Sequence, residues 1–92
     1  MPSLFTFKGF VIYFWVSDGT EPIHVHVAIG SPSPVAAKFW LTEEGKAVLA
    51  ANNAHFTGKD LKQIQEAIEA HFDYITQKWH ETFDAEPNFY RG

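Results

Sequence analysis

Two of the five histidines, His24 and His26, stand two residues apart in Glu21-Pro22-Ile23-His24-Val25-His26-Val27. The run reads as a β-strand, and side chains alternate faces along a strand. His24 and His26 therefore point one way, while Ile23, Val25 and Val27 point the other. Three kinds of chemistry use such a pair. The first is metal binding, because imidazole suits Zn, Ni, Cu or Fe. A site needs at least a third protein ligand. His71 is one candidate, at the edge of a helical apolar stripe; Asp18 and Glu21, in the turn before the motif, are two others. The second is acid–base catalysis, because histidine titrates near neutrality and a pair supplies one base and one acid. RNA cleavage by 2′-OH attack can run on two histidines and a cation, and Lys38 on the neighbouring strand is the candidate cation. The third is structural: the imidazoles bond to Asp18 or Glu21 and fix the hairpin, or lie in a protein interface with Lys38 and Trp40 beside them. His55 and His80 read as a loop residue and a helix-surface residue without a role.

The elements that must carry these residues follow from patterning. Residues 10–16, Phe-Val-Ile-Tyr-Phe-Trp-Val, are apolar throughout and read as a strand buried on both faces. Asp18-Gly19 is a turn signal. Strands follow over 23–29 and 35–41, separated by Gly30-Ser31-Pro32-Ser33-Pro34, and a short fourth strand spans 46–51. Short connections favour antiparallel pairing. Asn52-Asn53 reads as turn chemistry. Thr57, three residues before Asp60, resembles a capping box with Asp in place of Glu. Leu61, Ile64, Ile68, Phe72, Ile75, Trp79 and Phe83 then recur at spacings of three and four. They predict one amphipathic helix over about 58–83, roughly 39 Å long at ~1.5 Å per residue. The tail from 84 to 92 contains Pro87 and reads as irregular. The expected fold is α+β: a three- to four-stranded antiparallel sheet packed against one long C-terminal helix, in a single domain.

Composition narrows the function classes. No cysteine is present, which excludes disulfides, thiolate catalysis and cysteine-ligated zinc, and fits a reducing cytoplasm. The net charge of −4 makes a general nucleic-acid binder unlike this chain. No stretch approaches the ~18 apolar residues of a membrane span, and Met1 to Lys8 lacks the pattern of a secretory signal. There is no Gly-rich phosphate loop and no Gly-x-Ser-x-Gly. One helix covers one face of a sheet, yet the first strand is apolar on both. The second face needs a cover: Leu4 to Phe7, Phe89-Tyr90, or a second subunit. This predicts a homo-oligomer or a small protein partner.

The apolar opening strand, the Pro22-Ile23-His24-Val25-His26 motif, Gly30, Phe39-Trp40-Leu41, Asn52-Asn53, Asp60-Leu61, Ile64, Ile68, Trp79 and Phe83 together resemble the small bacterial family known as domain of unknown function 4160, over roughly residues 3–83. Many members read Asp-His-Asn-Pro-Pro-His-Phe-His. Here Asp18-Gly19-Thr20-Glu21-Pro22-Ile23-His24-Val25-His26 stands in its place, so the histidine after the aspartate is absent and Ile23 replaces the second proline. His71 matches a helical histidine of some members. The resemblance implies the fold above and a bacterial cytoplasmic setting, with no established activity. Such genes often lie beside another small gene, which implies one component of a toxin–antitoxin-like pair. The sequence thus leads to a small cytoplasmic binding domain. The alternative is a histidine-dependent enzyme centred on His24 and His26, either a hydrolase assisted by a transition metal such as Zn or a metal-independent ribonuclease.

Overall fold

The computed structural model describes residues 3–15 and 17–91. It contains five strands, β1 (Ser3–Phe7), β2 (Phe10–Tyr13), β3 (His24–Ile29), β4 (Ala37–Leu41) and β5 (Ala47–Asn52), followed by two helices, α1 (Gly58–Ala70) and α2 (Phe72–Phe83). The strands form one antiparallel sheet in the order β1-β2-β3-β4-β5. The α+β class and the antiparallel sheet agree with the sequence reading. The strand count and the single helix do not.

The additional strand is β1. It pairs with β2 through the tight turn Lys8-Gly9, where both residues have positive φ (49° and 84°). Two consecutive positive φ values match the right-handed twist of a hairpin. Lys-Gly lacks the Asn-Gly or Asp-Gly spelling of this turn, so periodicity alone left Leu4 to Phe7 as a covering segment.

The helix breaks at His71, which has φ −105° and ψ 20°. Its Nδ1 lies 2.8 Å from the Ala67 carbonyl, which also receives the His71 backbone N–H at 3.2 Å. The ring stacks on Phe5 of β1 with centroids 4.1 Å apart. A side chain competing for the i−4 carbonyl disturbs the helical ladder at that residue. The apolar stripe nevertheless continues across the break. Ile64, Ile68, Ile75 and Trp79 are buried against the sheet, with Leu61, Phe72 and Phe83 packed partly buried beside them. Thr57 Oγ1 accepts the Asp60 N–H (3.1 Å), as the capping pattern requires. Asn52 also serves its loop: its side chain donates to the Phe56 carbonyl and accepts the Phe56 N–H, both at 3.0 Å.

The main core lies between sheet and helices, where Ile12, Phe14, Val25, Val27, Phe39 and Leu41 meet the helical stripe. A smaller cluster on the other sheet face comprises Val11, Tyr13, Ala28 and Ala36, with Trp15 packed against it. β2 is therefore buried on both faces over residues 11–13, but it is shorter than the strand expected over 10–16: it ends at Tyr13, Phe14 is buried beyond it, Phe10 and Trp15 are half-buried, and Val16 lies outside the described residues. The cover on this second face comes from the Gly30–Ala36 segment: the loop expected over 30–34 runs on through Val35 and Ala36, and the strand expected from 35 begins at Ala37. Tyr13 Oη donates to the Ser33 carbonyl (2.7 Å) and accepts the Ser33 N–H (3.2 Å). The tail adds a second cover. Asn88 accepts the Ile23 N–H (2.7 Å), and Tyr90 lies flat on Trp40, with centroids 5.2 Å apart and planes 1° apart.

On the edge strand β5, Ala47 N–H donates to Glu69 Oε2 (3.0 Å) and the Ala47 carbonyl accepts from Gln65 Nε2 (3.1 Å). Helix side chains thus satisfy part of an edge that would otherwise recruit another strand. Among the described residues, no helix is long and apolar enough to cross a membrane.

Candidate functional site

β3 places the histidine pair as its alternation requires, with His24 opposite Trp40 and His26 between Tyr13 and Lys38 in the register. The connection from β2 to β3 brings the third polar residue. A single 3-10 turn (Asp18–Thr20) begins where Asp18 N–H donates to the Trp15 carbonyl (3.0 Å). The Asp18 side chain reaches back, and its Oδ2 accepts the Trp15 N–H (2.8 Å). These two bonds with Trp15 fix the carboxylate against β3. Gly19 belongs to the same turn because a Cβ there would lie 2.6 Å from the Phe83 ring of α2.

Asp18 Oδ2 lies 3.0 Å from His24 Nε2 and 3.1 Å from His26 Nε2. The ligand-capable atoms of these three residues all fall within 4.8 Å of one another. Of the three candidates for a third polar partner, the fold brings in Asp18. Glu21 instead accepts from Lys38 Nζ (2.9 Å), and His71 sits at the helix break. His55 and His80 lie on the surface, His80 beside Glu86 (3.2 Å).

The hydrogen bonding of the two imidazoles differs. His26 Nε2 bonds to Asp18 Oδ2 (3.1 Å), and its side chain is 17% exposed. Burial, the largest influence, lowers its pKa below the ordinary histidine value; His24 and Lys38 act in the same direction, and Asp18 opposes them. Burial therefore favours the uncharged ring. His24 has no exposed side-chain surface. Its Nδ1 lies 2.9 Å from the Pro22 carbonyl. A carbonyl only accepts, so Nδ1 carries the hydrogen. The other nitrogen, Nε2, is buried without a hydrogen-bond partner. Asp18 Oδ2 is close to it but off the axis along which a ring N–H or lone pair points.

Around these groups stand all three tryptophans and one tyrosine. Trp40 and Trp79 each lie 5.5 Å from the His24 ring, and Tyr13 and Trp15 lie 5.5 Å and 6.5 Å from the His26 ring. Lys38 sits 4.2 Å above Trp40. Sequence reasoning named the two histidines, Asp18, Lys38 and Trp40 as site residues. It missed the Trp15 N–H and the Pro22 carbonyl, which orient the carboxylate and His24. Tyr13 and Trp15 were legible in part, since they stand two residues apart in the apolar run that contains β2. The chemistry available is a carboxylate with two imidazoles in an aromatic shell, open to water chiefly past His26.

Comparison with curated proteins and with solved structures returns no match. Residues 9–80, which contain the turn, both histidines and most of the helical stripe, match the family model described as Domain of unknown function (DUF4160). The match covers more than half of the chain, and the chain belongs to that family.

Proposed function

We propose that this chain is a small binding domain for a protein partner, acting as one component of a toxin–antitoxin-like pair, and that His24 serves its architecture. The observation that carries this reading is the burial of His24. With no exposed side-chain surface and Nδ1 held by Pro22, it cannot exchange a proton with a substrate. On the same side, Trp15, Trp40 and Tyr90 are each half-buried: Lys38 lies over Trp40, Tyr90 stacks on Trp40, and Trp15 packs near His26. Partly exposed aromatic residues are the type that dominates binding energy at protein interfaces. Co-expression with the product of the neighbouring gene is the test. A stable complex that is lost on Trp40→Ala, with the fold retained by circular dichroism, supports the reading. Absence of a complex refutes it.

A second reading rests on His26 alone. It is partly exposed, held by Asp18, and opposite Lys38 on β4. That arrangement suits a single general base beside a cation. RNA cleavage by the wild type that disappears in His26→Gln supports it.

A further inference from the structure

We infer that Asp18, His24 and His26 form a binding site for one divalent transition-metal ion of the Fe(II)-to-Zn(II) series. His24 supplies the decisive observation. Its Nδ1 must donate to Pro22, so in the neutral ring Nε2 presents a bare lone pair. That nitrogen is fully buried and unpartnered, with a carboxylate oxygen at 3.0 Å. A buried lone pair beside an anionic oxygen stays unsatisfied unless a cation reaches both.

The off-axis position of the oxygen agrees with a shared ion. In a direct hydrogen bond the acceptor lies on the nitrogen's axis. In a coordination site the ion takes that axis, and the neighbouring ligand atom lies to one side. The Asp18–His24 and Asp18–His26 separations are 3.0 and 3.1 Å. An ion at ~2.0–2.2 Å from each donor would see them about 90–100° apart. Two imidazoles and one carboxylate on one side of an ion suit borderline transition metals, whereas Mg and Ca prefer all-oxygen sites.

The outer shell fits as well. Metal-binding histidines donate their other ring N–H to a carbonyl or carboxylate, as His24 does to Pro22, and the ligating carboxylate is itself hydrogen-bonded, as Asp18 is by Trp15. On binding, the ion takes the place of the hydrogen between His26 Nε2 and Asp18, and the His26 hydrogen moves to Nδ1. Asp18 and His26 keep partial exposure, 10% and 17% of their side chains, which gives an ion its way in.

The test uses untagged full-length protein purified without nickel resin and stripped with chelator. Zn(II) is added as the probe, with Mg(II) as the comparison. One equivalent of Zn(II) should bind per chain by calorimetry and raise Tm, with Mg(II) doing neither. His26→Gln and Asp18→Asn should each lower Zn(II) affinity by about 100-fold or more, beyond the ~10–100-fold lost when only an outer-shell partner is removed. His71→Gln and His80→Gln should leave affinity unchanged. Should the Asp18 or His26 variants fold poorly, imidazole 15N NMR of the wild type decides. Zn(II) must shift the nitrogens of His24 and His26 and spare those of His55, His71 and His80. No Zn(II) binding, equal binding by the Asp18 and His26 variants, or shifts confined to the other histidines would overturn the assignment.

Discussion

Replacing Asp18 by alanine should be among the most damaging single substitutions in this chain. The carboxylate accepts the Trp15 N–H at 2.8 Å and bonds His26 Nε2 at 3.1 Å, and its oxygen is the nearest charge to the buried His24 Nε2 at 3.0 Å. Hydrogen bonds to a charged group contribute about 1.5–3 kcal/mol each, and a buried donor left without a partner costs about 1–3 kcal/mol. Truncating one partner of a buried charged cluster typically costs about 3–5 kcal/mol, and that is the loss expected for Asp18→Ala. A domain of this size has a total of about 5–14 kcal/mol to lose. Asp18→Asn keeps an oxygen for the Trp15 N–H and should lose only about 1–2 kcal/mol. Urea unfolding followed by tryptophan fluorescence, in chelator so that no ion contributes, measures both variants. With a slope near ~1.5 kcal/mol/M, alanine should lower the midpoint by about 2–3 M and asparagine by about 1 M. An alanine variant within about 1 kcal/mol of wild type, or one equal to the asparagine variant, would show that Asp18 does not hold the turn against β3.

Gly19→Ala should cost about 1–3 kcal/mol, because the new methyl meets a Phe83 ring already packed between Phe14 and Trp79; an unchanged Tm would refute that contact. Asp84 caps α2 in the left-handed region (φ 52°, ψ 42°), where glycine carries no Cβ penalty. Asp84→Gly should therefore stabilise by about 0.5–1 kcal/mol in urea unfolding, and a loss of stability would count against a strained cap. Burial is the main cause that raises the Tyr13 pKa above its ordinary 10.0; the nearby Asp18 charge adds to it, and the Ser33 bond opposes it. The folded state thus holds the Tyr13 proton more tightly than the unfolded chain does. The stability linked to it is complete below pH 10 and is lost as pH rises through the folded-state value. Tyr13→Phe should remove this alkaline loss while costing about 1–2 kcal/mol at neutral pH through the two bonds to Ser33; the same alkaline loss in both proteins would assign it elsewhere.

Much of the scaffold was legible because its signals are local. The spacing from Leu61 to Phe83 named the helical face that packs on the sheet, and the i, i+2 spacing of His24 and His26 put both on one side of β3. β1 escaped notice because its turn, Lys8-Gly9, carries a left-handed lysine that composition does not advertise. The helix break escaped notice because it arises from His71 meeting both Ala67 and Phe5, the latter far away in the chain.

The sequence by itself determined four of the five strands, the helical stripe, the antiparallel α+β class and the shared face of the two histidines, since strand alternation and helical periodicity act between near neighbours. Three further outcomes rested on tertiary structure. Asp18, rather than Glu21 or His71, joined the histidines because its turn is tied to Trp15, while Lys38 on β4 takes up Glu21. The second face of β2 was closed by the Gly30–Ala36 segment because Tyr13 found both backbone groups of Ser33. His24 lost all exposure because Trp40 and Trp79 reach it from β4 and α2. The Asp18–Trp15 tie is local, but the Lys38–Glu21 pair and the other two outcomes depend on contacts between residues far apart in the chain, which no pattern of near neighbours encodes.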